Sequence, residues 1–186
     1  PVLSGSPFAW EDYEIGETIG HGARVQVTAS HMEATRIAGH NLAAVHHDGG
    51  VRAGEKNHPG ERLVYGGEVM RHAIAQTYNG LGNSLGIFAI NGGSHTAPVF
   101  EGDSLQSYSE ILGKFQLPGR DDVALLRVRT VAVKNLTDDV SKAFPYKVEA
   151  EGKQTYDPNV VLDMDYWVAM PTEKSMQCGE TPPANH

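Results

Sequence analysis

The chain has 186 residues, 40% of them hydrophobic, with 15 Lys and Arg against 23 Asp and Glu and a net charge of −8. That length suits one sizeable domain that buries a core without covalent staples. The acidic balance excludes a general nucleic-acid or membrane-surface binder, since both need a basic face. The single cysteine, Cys178, sits in a polar tail with no internal partner, which points to the reducing cytoplasm. No apolar run approaches the roughly 20 residues that span a bilayer. The start at Pro1 rather than Met is what a processed or excised piece would show.

Residues 1–9 are small and turn-prone and read as an ill-ordered lead-in. Trp10 to Ile19 is acidic and aromatic, and Gly20 to Val27 reads as a strand with Val25 and Val27 on one face. Ser30-x-x-Glu33 has the form of a capping box, so a helix is expected from His31 to about Gly39 with Met32 and Ile37 inward. Loop character follows from Asp48 to Glu61.

Gly67 to Tyr78 carries the strongest helical pattern, with Val69, Ala73, Ile74 and Tyr78 at helical spacing and a stop at Asn79-Gly80. Strands are expected at Leu85–Gly92, Asp103–Lys114, Ala124–Lys134 and Val160–Ala169, joined by Gly- and Asp-rich turns. The tail from Pro171 onward is polar and reads as mobile. One apolar helix followed by a meander of long strands predicts an α+β fold in which a sheet wraps that helix. The organisation is a lead-in over residues 1–9, one domain over 10–170 and a tail over 171–186.

Two segments carry possible chemistry. Asn41 and His46 lie just past a predicted helix end, where a loop can aim side chains into a cleft, and His47 and Asp48 follow at once. This is either a polar loop with a solvated imidazole or an acid/base site in which Asp48 sets the imidazole tautomer. Tyr65-Gly66-Gly67 heads the apolar helix, and a Gly pair there either makes a tight turn or leaves bare N–H groups for a developing negative charge. His40, His46 and His47 are close in sequence but lack metal-site spacing, so no metal is expected. Gly102-Asp103-Ser104-Leu105 sits between strands, not at a strand–turn–helix elbow, and is not a nucleophile motif.

The order of elements resembles the MaoC-like hydratases. The resemblance rests on Ala97-Pro98-Val99-Phe100-Glu101-Gly102-Asp103 leading into a long strand, and on Tyr65-Gly66-Gly67, similar to the family's His-Gly turn. It sharpens toward the second half of two-hotdog enzymes of the mesaconyl-CoA hydratase type. There the similar segments include Arg62 to Gly67, Tyr78 to Gly82, Ala89 to His95, Leu117 to Arg120 and Tyr156 to Trp167. It implies a hotdog fold, an antiparallel sheet wrapped around a long central helix, covering most of residues 10–170.

The resemblance also implies a reaction. Single-hotdog members carry Gly-Asp-x-Asn-Pro-x-His, in which Asp and His activate water together. Aligned on His46, the Asp position is Asn41, the Gly is His40 and the Asn-Pro pair is Ala43-Ala44. The implied activity is reversible hydration of an α,β-unsaturated acyl-CoA. His46 with Asn41 would activate water, Gly66 and Gly67 would form the oxyanion hole, and Tyr65, Asp48 and His47 would stand in support. Arg62 and Arg36, with Arg52 and Arg71 as further candidates, would pair with a substrate carboxylate. Coenzyme A enters as part of the substrate and no other cofactor is implied. A homodimer or higher oligomer of hotdogs is expected. The rivals are thioester hydrolysis, with Glu68 as the nearest carboxylate, and a non-catalytic half that binds acyl-CoA or a partner domain.

Overall fold

The computed structural model describes residues 4–39, 41–52, 60–137, 140, 145–150 and 152–177, without the side chains of residues 35, 36 and 52. Two short strands, β1 (Thr18–Gly20) and β2 (Val25–Gln26), precede helix α1 (Ala29–Ala38). Helix α2 (Gly66–Gln76) is followed by the short, kinked α3 (Tyr78–Leu81). The long strands are β3 (Gly86–His95), β4 (Ser104–Gln116) and β5 (Val123–Lys134). A hairpin of β6 (Lys147–Ala150) and β7 (Lys153–Tyr156) comes next, then β8 (Val160–Pro171) and a last helical turn, α4 (Glu173–Gln177). The main sheet runs β1-β4-β5-β8-β3, with β2 also on β4, and every pairing is antiparallel.

This is the expected hotdog arrangement. β8 alternates buried and half-buried residues along most of its length, as a strand with one covered face must. Its covered residues Leu162, Met164, Tyr166, Val168 and Met170 join Leu105, Ile111, Leu126 and Val128 against Val69 and Ala73 of α2. Each large apolar side chain so buried stabilises the fold by roughly 1.5–3 kcal/mol. On the sheet's other face Tyr108, Val131, Val133, Val140 and Val160 form a second cluster, closed by Leu136, Tyr146 and Tyr156.

Several expectations from the sequence change. The 20–27 strand is two pieces, because the chain leaves the sheet between Gly20 and Val25. Helix α1 starts at Ala29, which puts Ser30 inside its first turn rather than at its cap, and Glu33 pairs with Arg62 at 2.5 Å. Met32 is buried as expected, but Ile37 is exposed, and so is Tyr78. Helix α2 ends at Gln76, ahead of the expected stop, and Asn79-Gly80 forms the kink inside α3, where Gly80 takes φ 107.

Neither described end is loose. Asn83 reaches back to Ser4, Ser6 and Phe8, Tyr78 donates to the Ser4 carbonyl, and Ala9 is buried. Pro171 closes β8, Thr172 is buried and donates to the Asp121 carbonyl at 2.6 Å, and Lys174 pairs with Asp121. The remainder of the tail, with Cys178, and residue His40 lie outside the described residues. No helix among the described residues is long and apolar enough to cross a membrane.

Candidate active site

The two segments singled out in the sequence meet, and Leu63 joins them. Its N–H donates to the Val45 carbonyl at 3.0 Å, and its own carbonyl accepts from His46 Nδ1 at 2.7 Å. A carbonyl can only accept, so Nδ1 carries a proton, and in the neutral ring Nε2 keeps the lone pair. The His46 ring then sits edge-on to Tyr65, with centroids 5.7 Å apart and planes at 63°. Leu63 and Val64 are pinned in turn by a bridge to Phe100 and a Val64 N–H bond to the Val99 carbonyl at 2.9 Å. The segment that resembles the family's strand-leading motif therefore fixes the height at which α2 begins.

Tyr65 is the residue that caps α2, and its side chain makes no capping bond. The first helical N–H groups, those of Gly66 and Gly67, have no acceptor among the described residues. Both glycines also lie close against a side-chain ring that would have to shift to admit a Cβ. A methyl on Gly66 would come within 2.7 Å of His95 Nε2, and one on Gly67 within 2.5 Å of the Tyr65 ring. Close approach and free donors are thus both present, and the first makes room for the second.

The supporting residues divide. Asn41 Oδ1 accepts from the Ala43 N–H at 2.9 Å, and the Asn41 carbonyl accepts from His47 Nε2 at 2.9 Å, so both residues shape their own loop. Asp48 Oδ1 accepts from the Gly50 N–H at 2.8 Å, and it is the Leu63 carbonyl that orients the imidazole in the place expected for Asp48. Arg62 is committed to Glu33 and Arg71 to Glu68. The side chains of Arg36 and Arg52 lie outside the described residues.

Glu68 is fully buried, and Arg71 grips both of its oxygens, Nε at 2.9 Å and a terminal nitrogen at 2.5 Å. His72 Nε2 stands 2.8 Å from the same carboxylate but without hydrogen-bond alignment. Burial and the neighbouring Arg71 and His31 lower the His72 pKa, partly opposed by Glu68. His31, Glu68 and His72 bring ligand atoms within 4.8 Å of one another, the spacing of a metal site. The cation that Glu68 already holds is the Arg71 guanidinium, which makes this a charge-compensated joint between α1 and α2.

Two features escaped the sequence. His95, in a segment noted only for its resemblance, lies against Gly66. His21, fully buried, donates from Nδ1 to the Asn79 carbonyl at 2.6 Å and accepts at Nε2 from Ser109 at 2.8 Å. The chain continues through Thr130 to the Tyr166 hydroxyl in steps of 2.8 Å. No local pattern announces either residue, because each meets partners on elements far along the chain.

No family model matches the chain. Two curated proteins do. Beta-methylmalyl-CoA dehydratase of Chloroflexus aurantiacus is 47% identical over 90% of this chain, and mesaconyl-CoA hydratase of Cereibacter sphaeroides is 41% identical over 91%. The chain spans 46% of the length of each. A crystal structure described as a MaoC domain protein dehydratase, also from Chloroflexus aurantiacus, superposes on 92% of the chain and 47% of its own with a TM-score of 0.80 at 45% identity. That identity is sustained along nearly the whole of this chain, which is therefore similar to about one half of these MaoC-type dehydratase and hydratase chains and shares their hotdog fold.

Proposed function

We propose that this domain hydrates, reversibly, the double bond of an α,β-unsaturated acyl-CoA thioester of the enoyl or mesaconyl type. The observation that carries this reading is the Leu63 clamp, which joins the His46 loop to the head of α2 and leaves His46 Nε2 free as a base. His46 Nε2 takes a proton from water as the water oxygen bonds to Cβ. The displaced π electrons move onto the thioester oxygen, held by the Gly66 and Gly67 N–H groups and the positive end of α2. The enolate then collapses, and Cα receives the proton from His46, so water is added across the bond and the base is restored. Coenzyme A takes part only as the carrier of the acyl group. The names of the relatives, a dehydratase and a hydratase of branched acyl-CoA esters, support this chemistry.

One observation favours a second reading, a silent half. Asn41 stands where the family pattern has a carboxylate, and its Oδ1 is spent on Ala43. Glu68 gives no comparable support to thioester hydrolysis, because it is buried and gripped by Arg71. Among the described residues strand β3 pairs only with β8, is exposed along its length, and carries the exposed apolar residues Ile87, Phe88 and Ile90. Such an open edge calls for a second hotdog, as a further copy or a further domain.

The deciding experiment follows loss of the enoyl chromophore of crotonyl-CoA and mesaconyl-CoA, with a parallel assay for free thiol. Hydration by the wild type and its loss in His46→Ala support the reading. Thiol release in place of hydration supports hydrolysis, and inertness toward both esters supports the silent half.

A further inference from the structure

His95 ends β3 directly opposite Leu162 of β8. Directly paired residues of antiparallel strands project to the same face, and Leu162 belongs to the core that packs on α2. The imidazole therefore points toward the helix from the edge of the sheet. It meets the first residue of α2 with Nε2 foremost: a methyl on Gly66 would lie 2.7 Å from Nε2, against 3.0 and 3.1 Å from the flanking ring carbons.

Among the described residues His95 has no hydrogen bond or ion pair, whereas His21, His46 and His47 each engage a backbone carbonyl. Part of its surface is open to solvent, and the protein around the rest lowers its pKa by desolvation. A neutral imidazole offers one N–H donor and one lone pair, and at this position neither is used. The N–H groups beside it, on Gly66 and Gly67, are free as well.

We infer that His95 is a side-chain member of the oxyanion site, its Nε2–H serving as a third donor to the thioester oxygen beside the Gly66 and Gly67 N–H groups. This rests on the hydratase reading above. His95 exchanges no proton in the cycle: it keeps its hydrogen and strengthens one bond as charge reaches the oxygen, while His46 remains the base. The arrangement also accounts for Gly66, since only a residue without a side chain lets the imidazole approach the helix head.

The test uses the full protein, hydration kinetics and a conjugated dienoyl-CoA whose absorption moves to the red when its carbonyl is polarised. His95→Phe keeps a ring and removes both nitrogens, and His95→Gln restores a donor. The inference expects His95→Phe to lose on the order of 10²-fold in kcat with KM changed by less than about 3-fold, to show a smaller red shift, and to regain part of both in His95→Gln. An active wild type whose red shift and kcat survive in folded His95→Phe overturns the inference and leaves the hydratase reading standing. A wild type that polarises the dienoyl thioester but hydrates nothing sinks the hydratase reading, and the variant's red shift alone then judges His95. A wild type that does neither sinks both.

Discussion

His46 Nδ1 and the Leu63 carbonyl oxygen lie 2.7 Å apart, and that bond defines both the tautomer and the position of the imidazole. Because the acceptor is backbone, no side-chain substitution removes it directly. The relationship makes His46 Nε2 the free nitrogen at the site, and the first prediction follows from it. His46→Ala should lower kcat for enoyl-CoA hydration by about 10²–10⁴-fold, the usual range for a general base, without changing the far-UV spectrum. His46→Gln should be equally impaired, since an amide cannot take the proton. Stopped-flow loss of the enoyl chromophore measures both.

Gly66 and His95 should couple. The approach that would set a Gly66 methyl 2.7 Å from Nε2 makes Gly66→Ala overpacked, at a cost of about 1–3 kcal/mol. Removing the ring as well should recover most of that loss, so Gly66→Ala in a His95→Ala background should be nearly neutral. Urea unfolding of the four proteins in a double-mutant cycle reads the coupling, and additive effects would show that the two residues do not touch.

The Glu68–Arg71 joint should be structural. Glu68→Gln keeps the size of a fully buried side chain but removes the charge that Arg71 grips, and should destabilise by on the order of 3 kcal/mol. Thioester hydrolysis should be no lower in the variant than in the wild type. Thermal melting and a thiol-release assay test the two halves of this expectation, and a hydrolytic activity that disappears with Glu68 would revive the thioesterase reading.

Stability should fall in mild acid through His21. Burial holds its pKa below the usual imidazole value of 6.5, with the Asn79 hydrogen bond opposing only in part. The unfolded chain then binds the proton more tightly than the native one, so stability rises with pH. This contribution is complete above the unfolded value near 6.5 and is lost as pH falls from there through the lowered native value. His95 and His72 are shifted in the same direction and add to the slope. Urea midpoints between pH 8 and pH 5 should therefore decline for the wild type and decline less steeply for His21→Gln, which has nothing to protonate there.

Much of the molecule was legible in the chain because its signals are local. The spacing of Val69, Ala73 and Ile74 marks a helix, the alternation along Val160–Ala169 marks a strand with one covered face, and Asn79-Gly80 marks a break in helical backbone. These patterns depend only on near neighbours, and with the resemblance they were enough for an α+β hotdog and for singling out His46 and Gly66-Gly67 as candidate chemistry. The β6–β7 hairpin and the docking of residues 4–9 were not legible, because the partners that hold them lie far along the chain.

The sequence by itself determined the helix, the four long strands, the acidic balance and the presence of an imidazole and a glycine pair twenty residues apart. Only the tertiary structure decided which nitrogen of His46 is free, that Arg62 and Arg71 are already paired, and that His95 lies on Gly66. The physical reason is the same in each case. A side chain's tautomer, charge state and freedom to bind are set by what stands within about 3 Å of it, and here those neighbours arrive from other elements of the fold.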